Sequence, residues 1–261
     1  MTFRLFQVDA FTEELFRGNP AAVCPLERWL PDETLQKIAM ENNLSETAFY
    51  VREGGRFHIR WFTPAVEVEL CGHATLASGY VVFEVEGFPG PVVEFDSRSG
   101  PLRVRRDGGR LTLDFPADEA KPAEPPVGLF EALGARPLEV YRGRTDYLLV
   151  FGSESEVEAI KPDFGRLAEV EARGVIVTAR GNQADFVSRF FAPRVGVPED
   201  PVTGSAHATL TPFWARRLGK SELEAVQLSR RGGWLWVKAA GDRVEISGQA
   251  RLYLSGEIVL P

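Results

Sequence analysis

Cysteine and histidine are scarce in this chain, whose 261 residues hold only Cys24, Cys71 and three histidines. Two thiols are too few for a disulfide framework, and they lack the paired spacing of a zinc site. A metal bound by Cys71 and His73 would need two or three more ligands, so the sequence points to no metal. Positive charge is also short, with 30 Lys and Arg against 37 Asp and Glu and a formal net charge of −7. Such a surface repels a phosphate backbone, no local Lys and Arg cluster reverses it, and nucleic acid is excluded as a partner. No apolar run reaches the length that spans a bilayer, and the opening "MTFRLFQVDAF" alternates like a strand instead of showing a basic segment before an apolar one. The expectation is a cytoplasmic protein without membrane contact. A hydrophobic content of 44% and a charged content of 26% suit an ordinary globular chain of one or two domains.

What the chain does contain is itself, twice. "RFHIRWFTPAVEV" (56 to 68) lies over "DFVSRFFAPRVGV" (185 to 197), with Arg60 on Arg189 and Phe62 on Phe191 at an offset of 129. After an insertion of three residues, "CGHATL" (71 to 76) falls on "TGSAHATL" (203 to 210), which sets Gly72 over Gly204, Cys71 over Thr203 and His73 over Ser205. At an offset of 133, "LRVRRDGGRLTL" (102 to 113) overlies "LWVKAAGDRVEI" (235 to 246), and both read as hairpins about a glycine turn. Each half therefore predicts several short strands, one helix after the glycine motif and a closing hairpin.

Helices are expected over 31–43, where Pro31 and acidic residues open the first turn, over 72–85 and over 204–219. Pro212 lies inside the last of these and predicts a kink or a late start. The domains read as a lobe over 1–116, a proline-rich acidic linker over 117–128, and a second lobe over 129–261 whose last strand can return to the first.

The duplicated glycine motif stands where a helix begins, and a helix start offers unpaired N–H groups and partial positive charge. Two such starts facing each other across a cleft would grip a small carboxylate from both sides. Ordinary capping is the competing explanation, since Ser205 is a good N-cap residue. The halves differ most in their polar residues. Glu46, just before an apolar strand, has Val175 opposite it, and Asp200 belongs to the insertion. Asn19 in "GNPAAV" reads equally as a cleft residue and as an Asn-Pro turn, while His58 and His207 read as structural.

The stretches "QVDAFTEELFRGNPAAVC" (7 to 24), "NNLSETAFYV" (42 to 51), "IRWFTPAVEVELCGHATLASGYV" (59 to 81) and "RFFAPRVGVPEDPVTGSAHATL" (189 to 210) resemble the phenazine-biosynthesis isomerase (PhzF-like) family. The resemblance implies an α+β fold of two pseudo-symmetric diaminopimelate epimerase-like lobes. Each lobe is then a curved half-barrel sheet around a central helix, with the active site in the cleft between them. It also implies Glu46 as general acid/base and Gly72, His73, Asp200, Gly204 and Ser205 as substrate-positioning residues. A homodimer, a small carboxylate-bearing substrate and no cofactor complete what it implies. In phenazine producers such an enzyme isomerises trans-2,3-dihydro-3-hydroxyanthranilate.

Diaminopimelate epimerase works with one cysteine in each lobe, whereas here the pair is Cys71 and Thr203, and a threonine hydroxyl is too weak an acid to share that task. Two other readings stay open. One is a thiol-based epimerase, racemase or dehydratase of an amino or hydroxy acid using Cys71, although this cysteine also reads as a packed small residue. The other is a catalytically silent small-molecule binder, since a fold can outlive one function.

Overall fold

A computed structural model of the protein describes residues 1–260. The chain divides into two compact units, the first holding Met1–Asp114 and the chain from Ser247 on, the second Phe115–Ile246. Elements of the first are β1 (Thr2–Ala10), β2 (Asn19–Leu26), α1 (Asp32–Asn42), β3 (Glu46–Glu53), β4 (Arg56–Phe62), β5 (Glu67–Val68), α2 (Gly72–Tyr80), β6 (Val92–Ser97), β7 (Gly100–Asp107) and β8 (Arg110–Pro116). Those of the second are β9 (Lys121–Pro122), α3 (Leu129–Leu133), β10 (Glu139–Arg142), β11 (Asp146–Val150), α4 (Glu154–Ala159), α5 (Phe164–Glu169), β12 (Gly174–Arg180), β13 (Phe186–Phe191), α6 (Gly204–Leu218), β14 (Glu222–Gln227), β15 (Gly233–Ala240) and β16 (Arg243–Gly248). The last strand, β17 (Ala250–Val259), belongs to the first unit and runs antiparallel to β1 from Thr2↔Val259 to Ala10↔Ala250.

The duplication reappears as strand pairing. In the first unit β2 and β3 are parallel, β3 and β4 antiparallel, β4 and β6 parallel, and β6, β7 and β8 antiparallel. In the second, β11 and β12 are parallel, β12 and β13 antiparallel, β13 and β14 parallel, and β14 and β15 antiparallel. Both units are thus the same α+β arrangement, one long sheet built on one helix that follows a glycine motif.

Those two helices are largely buried. Every residue of α2 from His73 to Gly79 is buried, and α6 buries Ala206 through Pro212. Helices also cover the other face of each sheet. On the first unit α1 packs Leu35, Ile38 and Ala39, at the spacing of one helical face, against Phe49, Val51 and Phe62. With a layer on both sides, β3 loses the alternation of a half-exposed strand and buries Thr47 through Val51 without a break. In the second unit α3, α4 and α5 do the same over β11, β12 and β13, with Leu133, Val157 and Leu167 in one cluster with Val177 and Phe191.

Two helix expectations change. The segment over 72–85 is α-helical only to Tyr80 and continues as one π-helical turn, Val81–Val85. Helix α6 starts at Gly204 and runs through Pro212 to Leu218, so its start is not late. Proline removes the N–H that would reach the Ala208 carbonyl, and the Asp118 N–H takes that carbonyl instead at 3.1 Å. Asp118 also accepts the Thr209 hydroxyl at 2.9 Å, so residues 117–128 are tied into the second unit.

Close packing around α2 depends on Gly79, where an added Cβ would stand 2.7 Å from Val104 Cγ1 on β7. Gly79→Ala should therefore destabilise the protein by about 1–3 kcal/mol, the usual range for overpacking. Val104→Ala in the same chain should restore part of that loss, so the double variant costs less than the two single changes added together, as read by urea unfolding. Strict additivity would show that the helix and β7 are not in that contact.

Candidate active site

The parallel pairing of β2 and β3 carries their first residues, Asn19 and Glu46, to one end of the sheet, and α2 begins at that same end. Asn19 reaches this position through Gly18, whose φ of +63° and whose approach to the Ala10 carbonyl leave no room for a Cβ. The result is a buried cluster. Glu46 Oε2 lies 3.2 Å from His73 Nε2, and Asn19 Nδ2 lies 3.2 Å from His73 Nδ1. The side chain of His73 is 6% exposed and that of Glu46 16%.

These contacts set the protonation of the ring. An amide NH2 can only donate, so His73 Nδ1 accepts from Asn19 and the ring proton sits on Nε2, facing the Glu46 carboxylate. Burial pushes the His73 imidazole down to about 3, so at neutral pH it is the uncharged tautomer. Cys71, buried as the N-cap of α2, places Sγ 3.6 Å from Nδ1. Glu46, Cys71 and His73 thus bring ligand-type atoms within 4.8 Å of one another. Glu46 lies against one edge of the imidazole, and Cys71 and Asn19 lie against the other.

In the second unit the other expected residues surround the start of α6. Asp200 Oδ2 accepts the Thr203 hydroxyl at 2.6 Å, so the group in the place of a second cysteine already gives its proton to a carboxylate. Gly204 is buried and Ser205 exposed. The N-cap of α6 is Thr203, not Ser205, and neither Thr203 nor Cys71 makes a side-chain capping bond. Ordinary capping therefore does not explain the duplicated motif. His207 is structural, as read from the sequence, and donates from Nδ1 to the Thr203 carbonyl at 2.8 Å. Its counterpart in the first unit, Thr75, does the same to the Cys71 carbonyl at 2.5 Å.

Sequence reasoning missed Gln227. This fully buried residue of β14 accepts the Thr203 N–H at 2.8 Å and donates to the Asp200 carbonyl at 2.7 Å, which fixes the loop that carries Asp200. Its signal was a polar residue on the inward face of "ELEAVQ", in step with Leu223 and Ala225. Asn19, left undecided between cleft and turn, lies against His73.

A largely buried acid beside an uncharged imidazole stands on a duplicated α+β scaffold. The chain belongs to the family described as phenazine biosynthesis-like protein, which matches residues 8–256. An uncharacterized isomerase of Pseudomonas aeruginosa is 55% identical over 260 residues and all of both chains. A PhzF-family protein of Enterococcus faecalis, solved by crystallography, superimposes with a TM-score of 0.97 at 47% identity over the full length of both. A probable proline racemase from Agrobacterium radiobacter, 12% identical, shares the fold at a TM-score of 0.66 over 99% of this chain and 93% of its own. Among the described residues no helix is long and apolar enough to cross a membrane.

The buried rings predict a pH dependence of stability. Burial lowers His207 to about 4, against the lift from its bond to the Thr203 carbonyl, and lowers His73 to about 3. In the unfolded chain both titrate near 6.5, so stability is complete above that pH and falls as protons bind the unfolded state first. Each ring costs about 1.4 kcal/mol per pH unit in that window, or roughly 4 kcal/mol for the two between pH 6.5 and 5. Urea unfolding at pH 7.5 and 5 measures the drop, and His207→Asn should remove about half of it. A flat profile would contradict neutral buried rings.

Proposed function

We propose that this protein is a cofactor-independent isomerase that shuttles a proton on a small carboxylate-bearing metabolite, with Glu46 as general acid/base. The observation that carries the reading is the Glu46 carboxylate facing the Nε2–H of a buried, uncharged His73 at 3.2 Å. Glu46 takes a proton from an acidic carbon next to an unsaturated acid, and the C–H electron pair passes into the conjugated system. The carboxylic acid so formed returns the proton to another carbon of the same molecule, which leaves an isomer and the original carboxylate. His73 stands beside the carboxylate and, being neutral, does not neutralise its basicity as an imidazolium would. Asp200 orients a substrate hydroxyl or amine, and Gly72, Gly204 and Ser205 bind the carboxylate at the helix starts.

The thiol reading rests on Cys71 Sγ lying 3.6 Å from His73 Nδ1, but its partner Thr203 already donates to Asp200. Proton NMR in deuterated buffer separates the two. Incubated with trans-2,3-dihydro-3-hydroxyanthranilate and a panel of small unsaturated and amino acids, the wild type should take up deuterium or isomerise a compound. Glu46→Gln should lose roughly 10²–10⁴-fold in rate, while Cys71→Ala keeps it. Exchange that persists in Glu46→Gln and vanishes in Cys71→Ala would move the chemistry to the thiol.

A further inference from the structure

We infer that Arg173 is a substrate-binding residue, the group that recognises the carboxylate of the small acid this protein acts on. The inference deepens the proposal above and rests on its assignment of Gly204 and Ser205 to that carboxylate.

The argument begins with the internal repeat. His73 is the second residue of α2, Ser205 is the second residue of α6, and the two are counterparts at an offset of 132. In the first unit the strand beside that helix start presents an acid, Glu46, to His73. In the second, the counterpart of Glu46 is Val175, which is 2% exposed and part of the core, so no acid stands there. Two residues upstream is Arg173, whose Nη2 lies 3.4 Å from Ser205 Oγ. One helix start therefore has an acid beside a histidine, and the other a guanidinium beside a serine. The first pair suits proton transfer, and the second suits holding an anion.

Arg173 is built into place. Its Nε donates to Asp146 Oδ1 at 2.9 Å, and its Nη2 also bonds Asp146 Oδ2, making a two-pronged clamp on a side chain only 3% exposed. Phe190 lies under the guanidinium, 5.7 Å from its carbon. Gly174, next in the chain, leaves room for this clamp, because a Cβ there would stand 2.8 Å from Asp146 Oδ1. A planar fork held by one edge keeps its other donors aimed in a set direction. Nη1 makes no hydrogen bond to the described residues, and the side chain is 40% exposed, so those donors are open to a ligand beside Ser205. An Nη1 donor and the Ser205 hydroxyl, which accepts from Nη2 and keeps its own proton to give, together match the two oxygens of a carboxylate.

If Arg173 served only to neutralise buried Asp146, any cation there would do, and removing both charges together would be harmless to binding. That difference sets the test. The ¹⁵N-labelled full chain is titrated with sodium benzoate and, as the uncharged control, benzamide, while the amide resonances of Gly204 and Ser205 are followed. Benzoate should shift both in a saturable way and benzamide should not. Arg173→Lys, which keeps the positive charge beside Asp146, and the double variant Asp146→Asn/Arg173→Gln, which leaves no buried unpaired carboxylate, should each weaken benzoate by about tenfold or more. Benzoate binding is read without turnover, so this inference and the assignment of proton transfer to Glu46 fail separately. No saturable shift with benzoate, an equal response to benzamide, or wild-type affinity in both Arg173 variants would overturn the inference.

Discussion

The arrangement depends on one imidazole being kept uncharged. His73 sits at a helix start, in a place that favours negative charge, and directly beside a carboxylate, which by itself would favour the protonated ring. Burial opposes both and lowers the ring to about 3. Asn19 then decides the tautomer by donating to Nδ1, which leaves Nε2–H for Glu46. A charged ring at that distance would form an ion pair with Glu46 and hold the carboxylate as a poor base. A neutral ring orients it without that penalty.

The same scaffold, used twice, keeps its mechanical parts and changes its polar ones. Cys71 and Thr203 both precede the helix and both lend their carbonyl to a side chain one turn on, Thr75 in one unit and His207 in the other. Arg60 and Arg189, counterparts in the repeat, both grip a glutamate of the following segment through two bonds, Glu67 at the start of β5 in the first unit and Glu199 in the second. Those clamps fix the segments that lead into the helix starts. Where the first unit carries Glu46, the second carries buried Val175, so the symmetry of the backbone is not a symmetry of chemistry.

Much of this was legible in the sequence because duplication turns weak local patterns into aligned ones. The glycine motif, the hairpins and the contrast of Glu46 with Val175 follow from three closely spaced offsets, 132, 133 and 129. The convergence of Glu46 with His73, 27 positions apart, follows from parallel strands that end where a helix begins. What escaped reading was whatever depends on a distant partner. Gln227 looks like an ordinary strand residue until the Asp200 loop folds onto it. Pro212 looked disruptive because nothing nearby in sequence shows that Asp118 supplies the missing N–H to Ala208. Asn19 precedes a proline, and only tertiary packing separates a turn from a ring contact.

The most direct test of this account is the ¹⁵N NMR spectrum of His73 in histidine-labelled protein between pH 6 and 8. A neutral ring protonated at Nε2 across the whole range, switching tautomer or becoming exposed to titration in Asn19→Ala, is what the structure requires. An imidazolium at neutral pH, or a ring protonated at Nδ1, would contradict it.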